Sequence, residues 1–487
     1  MVCRFRIESS SVERVSIEAL FATMNAVNWR FSVLATVAAF AMVEAAAYER
    51  FINVPRDAVT ATGSNSVVVQ VETLGASKSG QHSGLSFAPE VNDAQFKSVD
   101  IRVTAGAKSS QHSHTVAKLF YGKTRSVARG IKTAHVFRST AWLGRLAQWD
   151  LDPTHVSQLF PGPVINHSWV AKPSSADKIL RRADYSALSN NVLHVAGVRR
   201  RGAGDHLMAG GYNSLVVGGA VQNIQTPYPA INELYGEGRT RPHLVGPYPH
   251  ASAAAPIVAA TVVRLNALAA KKNMVFSTSS RNGSEQLPVE LLKAILMASA
   301  SGNFTYELKG EDLVNAFGTL GVTESGLDKR FGMGMLNIGA AEKLLQSTHY
   351  SQAVENQSVS QSAAPSVSGG SGFAYRQLGG ETGQSESYTI SPQRSGEFAA
   401  SLSWLADMQN VDGKVDGVVY DFDLAVIEVS SDGASQKTEK IVARSTGRFD
   451  TTENIRVKLE RGSTYELRVT RKDGVNKPWP YAVAWKM

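Results

Sequence analysis

The sequence predicts an α/β domain with a central, mainly parallel sheet, followed by a C-terminal antiparallel β-sandwich. Continuous rather than alternating apolar runs indicate strands that are buried on both faces, as in a parallel sheet covered by helices. These runs occupy residues 67–72, 164–169, 192–198 and 214–221. Helical patterns are found at residues 253–272, 289–300 and 338–345. Near the C-terminus, short apolar runs separated by Gly, Asp and Asn turns are typical of antiparallel strands.

Length and composition indicate a globular protein with more than one domain. The chain has 487 residues, 43% of them hydrophobic, and a formal net charge of +8. A charge this small for the length gives no reason to expect a nucleic-acid partner. The only cysteine is Cys3, which excludes an intrachain disulfide framework and a site built from several thiolates.

The first 47 residues have the pattern of a signal peptide. From Met24 there is a short polar segment with Arg30, an apolar run at 31–43, and a small-residue stretch ending at Ala47. This order predicts cleavage after Ala47 and a secreted or periplasmic protein. The alternative is an uncleaved anchor, but the run is shorter than the roughly 20 apolar residues a spanning helix needs. We therefore expect no stable membrane span after cleavage.

The mature chain divides by composition. Residues 48–348 hold the α/β pattern, and residues 349–385 are rich in Ser, Gly and Gln, as a flexible linker would be. Residues 386–487 contain the short β runs. The prediction is an α/β domain, a linker and a separate β domain.

Ser252 is the first candidate for chemistry. It stands immediately before a long Ala- and Val-rich helical pattern, where backbone N–H groups at the positive helix end can stabilise a developing oxyanion. The alternative is a plain helix cap, the commonest role of such a serine.

The segment around Ser252 resembles the Gly-Thr-Ser-x-Ala-x-Pro nucleophile motif of the subtilisin-like serine proteases, the subtilases. Further segments resemble other blocks of that family in the right order, and together they span about residues 67–345. The segments are HASAAAPIVA at 250–259, QHSHTVA at 111–117, VVVQVE at 67–72, QHSGL at 81–85, PVINHSW at 163–169, VLHVAGV at 192–198, RPHLVGP at 241–247 and FGMGMLN at 331–337. The resemblance implies the three-layer subtilisin-like fold and a serine peptidase.

The resemblance also implies roles for individual residues. His112 takes the position of the catalytic base, with His114 as the alternative, and Glu72 takes that of the acid, where the family has aspartate. Asp93 and Asp100 are alternative carboxylates. Asp100 lies only 12 residues before His112 and Glu72 lies 40 before it, and the longer separation is the one that accommodates a crossover between parallel strands.

The same resemblance implies a substrate-binding edge and an altered oxyanion site. Ser168, Trp169, Val170 and Gly197 are candidate contacts to an extended peptide, which would add to a strand edge through its backbone. Val198 stands where the family has an asparagine that donates to the oxyanion. Substitute donors would be Asn190, Asn191 or the loop 199–205. The Gly-Thr pair before the usual serine is replaced by His250 and Ala251.

These observations predict a serine endopeptidase acting on peptide or protein substrates, with no cofactor required. The competing hypothesis is a catalytically impaired relative that binds peptide or protein without cleaving it, and a third is an adhesin working through the β domain. That domain contains Trp404, YDFDL at 420–424, EN at 453–454 and GSTY at 462–465. These segments resemble the jelly-roll-like domain that follows many subtilase catalytic domains. Asp421 and Asp423 within it are candidate calcium ligands, with turn hydrogen bonds as the alternative.

Overall fold

The structure of the chain is a computed structural model. It describes residues 66–74, 85–147, 159–171, 176–198, 207–220, 239, 241–248, 250–274, 276, 286–308, 311–351, 366–367, 370–411, 413–431 and 437–487. The predicted signal peptide at 1–47, the segment 48–65 and the loop 199–205 lie outside the described residues.

A seven-stranded parallel sheet forms the centre of the first domain, as predicted. Strands β1 to β9 are Val67–Glu72, Ser86–Ala88, Asp100–Val103, Lys108–Ser109, Thr133–Arg138, Val164–His167, Leu193–Gly197, Leu215–Gly219 and Leu244–Gly246. The order in the sheet is β3-β5-β1-β6-β7-β8-β9, and β2 pairs separately with β4. The β-branched residues of β1 and β6 are buried on both faces of the sheet, which explains their uninterrupted apolar runs.

Helices cover both faces of this sheet, so the first domain has three layers. Helices α1 to α6 are Gln111–Tyr121, Ser139–Leu146, Ala176–Asn190, Ala251–Lys271, Val289–Ser299 and Ile338–Leu345. Alternate residues of β1 divide between two cores: Val68 packs with α1 and α4, and Val69 packs with α2 and α3. This is the period-2 alternation of a strand between two layers.

Helix α4 is the central helix of the larger core. Among the helices of the described residues, α4 alone is long and apolar enough to cross a membrane. However, 72% of its most apolar 18-residue stretch is buried inside the protein. A helix that is apolar on nearly every side is expected in the core of a large domain.

The C-terminal β-sandwich is also confirmed. Strands β10 to β23 are Phe304–Leu308, Glu311–Asn315, Thr348–Ser351, Ser366–Val367, Gly372–Leu378, Ser385–Ile390, Gly396–Trp404, Asp407–Val411, Lys414–Val418, Phe422–Ser431, Lys437–Ser445, Thr452–Leu459, Thr464–Arg471 and Trp479–Lys486. Two five-stranded sheets, β12-β14-β23-β16-β21 and β13-β15-β22-β19-β20, enclose one apolar core. β10 and β11 form a separate hairpin, as do β17 and β18.

Some of the described residues within the predicted linker at 349–385 form β-strands. β12 begins at Thr348, and β14 at Gly372–Leu378 is an inner strand that pairs with β23 about a hundred residues later. The sandwich therefore begins well before residue 386. Composition misled here because β14 is stabilised by a distant partner strand rather than by local pattern.

The two domains share a buried polar interface. Arg241 Nη1 donates to Asp450 Oδ1 at 2.7 Å, and both side chains are at most 4% exposed. Lys486 Nζ donates to the Ser299 carbonyl at 2.6 Å, and Asn213 Oδ1 accepts from the Ala406 N–H at 2.7 Å. The β-sandwich therefore packs against the α/β domain through buried polar contacts.

Candidate active site

The candidate residues gather at one edge of the parallel sheet. Glu72 is the last residue of β1, Ser168 directly follows β6, and Gly197 ends β7. These three strands are neighbours and run in the same direction. Their carboxyl ends therefore meet at the same edge, where open α/β sheets commonly bind ligands.

Glu72 and His112 are brought into direct contact. His112 lies in the first turn of α1, which is capped by Ser110: its hydroxyl accepts from the Ser113 N–H at 3.3 Å. His112 Nδ1 lies 2.9 Å from Glu72 Oε2; the carboxylate side chain is fully buried and the imidazole is 43% exposed. A carboxylate can only accept, so Nδ1 carries the hydrogen and Nε2 is left with a lone pair.

The acid also sets the proton affinity of the base. Burial by itself lowers the pKa of His112, but the hydrogen bond and negative charge of Glu72 outweigh it and raise that pKa above its ordinary value. An imidazolium formed during a reaction is thereby stabilised. The glutamate side chain is thus long enough to reach the imidazole from the end of β1.

The alternative assignments do not converge on this site. His114 turns to the segment after β2: its Nδ1 accepts from the Glu90 N–H at 3.3 Å and its Nε2 lies 3.2 Å from Asp93. Asp100 is largely exposed and pairs with Arg102. Neither Asp93 nor Asp100 is hydrogen-bonded to His112.

Ser252 lies in the first turn of α4, and a proline shapes its surroundings. Pro256 within the helix lacks an N–H and cannot bond the carbonyl four residues earlier, which is that of Ser252. Ser168 Oγ donates to this freed carbonyl at 2.8 Å, and Asn166 Nδ2 donates to Ser168 Oγ at 3.0 Å. The end of β6 is thus tied to the turn that carries the candidate nucleophile.

Ser252 and His112 stand on helices that pack against each other, each in the first turn of its helix. Among the described residues, no hydrogen bond joins the Ser252 hydroxyl to His112. Catalytic hydrogen bonds are often long in structures without substrate and tighten in the complex. The two candidate residues therefore stand at the starts of two helices that pack together.

The end of β7 closely approaches Ser252. A Cβ atom on Gly197 would lie 3.1 Å from the Ala251 carbonyl oxygen, so glycine allows the strand to pass this close to α4. Val198 follows, with its N–H donated to the Val217 carbonyl at 2.9 Å. Val198 and Trp169 are at most 5% exposed and belong to the same apolar cluster, whereas Val170 is partly exposed.

The two asparagines suggested as substitute oxyanion donors are in the wrong place. Asn190 and Asn191 precede β7 and so lie at the amino end of the strand, whereas Val198 follows its carboxyl end. At about 3.3 Å per residue the five-residue strand puts roughly 16 Å between the two ends. The Asn191 side chain bonds to Leu287 and Val289 at the start of α5.

One described group of side chains has metal-ligand spacing. Glu90, Asp93 and His114 each offer an atom, all within 4.8 Å of one another. Lys118 Nζ already lies 3.2 Å from Asp93 and supplies positive charge there.

The two candidate calcium ligands lie in the β domain. Burial, together with the negative charges of Asp423 and Asp473, raises the pKa of Asp421 to about 6. The Asp423 carboxylate lies 3.8 Å from Lys472 Nζ.

Sequence reasoning missed Gln70, which bonds to Glu72, and Ser113, which bonds to Gln70. Gln70 Nε2 donates to Glu72 Oε1 at 3.0 Å and to Ser113 Oγ at 3.0 Å. A signal was available: Gln70 is a polar residue in an apolar strand, two positions before Glu72 and hence on the same face.

Comparison with known proteins gives only distant structural similarities. No protein-family model matches the chain, and no curated protein does. Among solved structures, the self-cleaved protease domain of PatA is 17% identical, with a TM-score of 0.37, and the match covers 59% of this chain and 98% of that one. The PatG macrocyclase in complex with peptide is 14% identical, with a TM-score of 0.40, and the match covers 59% of this chain and 94% of that one. A cold adapted subtilisin-like serine proteinase is 18% identical, with a TM-score of 0.33, and the match covers 54% of this chain and 89% of that one.

Proposed function

We propose that this chain is a secreted or periplasmic serine endopeptidase that cleaves peptide or protein substrates. The observation that supports this most is the 2.9 Å hydrogen bond between His112 Nδ1 and buried Glu72. It lies at the same sheet edge as Ser252, and it leaves the opposite imidazole nitrogen available as a base.

In this proposal Ser252 Oγ attacks the scissile carbonyl while His112 Nε2 takes its proton and then delivers it to the leaving amine. Glu72 holds the imidazole and stabilises its positive charge. The Ser252 backbone N–H at the start of α4 donates to the oxyanion. Water then hydrolyses the acyl-enzyme by the reverse proton path, and no cofactor is required.

The substrate would bind as an extended strand along the ends of β6 and β7, with Ser168, Trp169, Val170 and Gly197 as its contacts. Export would follow from the signal pattern at 1–47. Calcium binding at Asp421 and Asp423 stays a prediction.

The test is active-site labelling of the purified protein with a fluorophosphonate, which reacts with activated serines. We expect one modified residue, Ser252, with the labelling lost in Ser252→Ala and strongly slowed in His112→Ala. Ser168→Ala is a useful comparison, because it removes a neighbouring hydroxyl without removing the nucleophile. Labelling that persists in Ser252→Ala would overturn the assignment.

A second candidate function is peptide binding without cleavage. Two observations favour it: buried, apolar Val198 at the oxyanion position, and the lack of a hydrogen bond between Ser252 and His112 among the described contacts. It predicts saturable peptide binding with neither labelling nor hydrolysis.

A further inference from the structure

Gln70 is a fully buried amide in β1, where the residues on either side of it are valines. Its neighbours Val69 and Val71 point to the opposite face, and Glu72 follows on its own face. Burying an amide costs free energy unless its hydrogen bonds are made. Its place in the middle of β1 therefore calls for a physical reason.

Every polar atom of the Gln70 side chain is occupied. Nε2 lies 3.0 Å from Glu72 Oε1, 3.1 Å from the Ser113 carbonyl and 3.0 Å from Ser113 Oγ. Oε1 accepts from the Tyr121 hydroxyl at 2.7 Å. Because the Ser113 carbonyl can only accept, the nitrogen must face it, and this fixes the orientation of the amide.

This orientation divides the two oxygens of Glu72 between two donors. Oε1 accepts from Gln70, and Oε2 faces His112 Nδ1 at 2.9 Å. Glutamate has one more rotatable bond than aspartate, so its carboxylate has more orientations to lose on ordering. A donor on one oxygen restricts that freedom and presents the other oxygen to the imidazole.

We propose that Gln70 is a positioning residue that acts through Glu72, holding its carboxylate so that Oε2 faces His112. The inference rests on the proposed function for its effect on catalysis, but the placement of His112 against Glu72 is measurable without it. Tyr121 and Ser113 hold the amide in turn: burial, with the nearby Glu72 charge, raises the pKa of Tyr121 well above its usual range, so its hydroxyl remains a donor.

The competing explanation is that Gln70 only fills the space between β1 and α1. The two differ in what happens at His112. A positioning role predicts that the pKa of His112 falls when Gln70 is replaced, because the carboxylate that raises it is no longer held in place. A space-filling role predicts a loss of stability with the pKa of His112 unchanged.

The experiment uses the full chain with Gln70→Met, which keeps an unbranched side chain and removes the amide. Asn213→Leu is the matched control, because Asn213 is also a fully buried amide with bonds at both ends, to the Asp184 carbonyl and the Ala406 N–H. It lies before the amino end of β8, at the edge opposite the site. Thermal unfolding of both variants gives the stability reference.

Two readouts are measured. In kinetics with a peptide ester, Gln70→Met should lower kcat about 10-fold or more with little change in KM, and should move the acidic limb of the pH profile to lower pH. In NMR titration of the His112 imidazole in a Ser252→Ala background, its pKa should fall. In a Glu72→Ala background, Gln70→Met should have no further effect on that pKa, since no carboxylate remains to be positioned.

The outcomes separate the two proposals. A lowered His112 pKa in a protein without hydrolytic activity would refute the proposed function and support the positioning role. Activity with an unchanged kcat, pH limb and His112 pKa in Gln70→Met would overturn the positioning role alone, as would an equal effect from Asn213→Leu. If Gln70→Met does not fold, Gln70→Asn withdraws the amide by one methylene, and the same fall in pKa is expected.

Discussion

Replacing Glu72 by aspartate, the residue that the resembled family uses, should impair this protein rather than improve it. Removal of one methylene withdraws the carboxylate by about 1.5 Å. The present contacts are 2.9 Å to His112 Nδ1 and 3.0 Å to Gln70 Nε2. By this shift they would lengthen to roughly 4.4 Å and 4.5 Å if the backbone of β1 stays in place, outside the hydrogen-bonding range.

The expected loss in kcat for Glu72→Asp is about 100-fold, as for other misplacements on the ångström scale. It should be smaller than the roughly 10⁴-fold cost of removing the orienting carboxylate's charge in a serine protease triad, because the charge remains nearby. Glu72→Gln, which keeps the length and removes the charge, is the comparison. It should lower the pKa of His112, so the acidic limb of its residual activity should move to lower pH.

The assay is turnover of a peptide ester across pH by wild type, Glu72→Asp and Glu72→Gln. A kcat for Glu72→Asp equal to or above that of wild type would refute the reasoning. It would mean that the site does not depend on the reach of the longer side chain.

Three further predictions concern the oxyanion position and the domain interface. Val198→Asn should raise kcat by about 10-fold in an ester assay, because it adds a hydrogen-bond donor near the oxyanion of the transition state. This gain is less than the 10²–10³-fold that such a donor gives in a site built for it. No gain, or a gain that survives Ser252→Ala, would contradict the prediction. Asp450→Leu deprives buried Arg241 of its carboxylate partner and should lower the free energy of unfolding, measured by urea titration, by about 3–5 kcal/mol. The double variant Arg241→Met, Asp450→Leu should lose less stability, because no unpaired charge is left buried. Equal losses in the single and double variants would contradict this. Burial, with a smaller effect from Arg241, lowers the pKa of Lys293 from 10.5 to about 7. The unfolded chain therefore binds the Lys293 proton more tightly than the folded protein does. The resulting loss in the free energy of unfolding is fully present below pH 7 and disappears as the pH rises towards 10.5. Lys293→Met should stabilise by about 1–4 kcal/mol at pH 6 and less at pH 10, and a gain independent of pH would contradict that sign.

Local pattern was sufficient for much of the first domain. The run of β-branched residues at 67–72 and the helix at 338–345 have the predicted bounds, because each is limited by polar or turn-forming residues on both sides. The meeting of Glu72 with His112 followed from the resemblance and from a separation that accommodates a crossover between parallel strands.

Contacts between residues far apart in sequence could not be predicted in this way. Nothing near Gly372–Leu378 indicates that this strand pairs with β23, and nothing near Asn191 shows that its side chain is needed at the start of α5. The role of Gln70 depends on Ser113 and Tyr121, which are 43 and 51 residues away.

Helix α5 is buried partly by the β domain, which therefore contributes to the core of the α/β domain. Every residue of Val289–Ser299 is buried, including Glu290 and Lys293. The helix packs on α6 and on β16 and β23 of the sandwich. Tyr375 of β14 donates to Glu290 at 3.3 Å, and Lys293 donates to the Tyr212 carbonyl at 3.2 Å. Without the sandwich, one side of an almost wholly apolar helix and a buried carboxylate would face water, so the α/β domain that carries Ser252 and His112 depends on its C-terminal partner for a complete core.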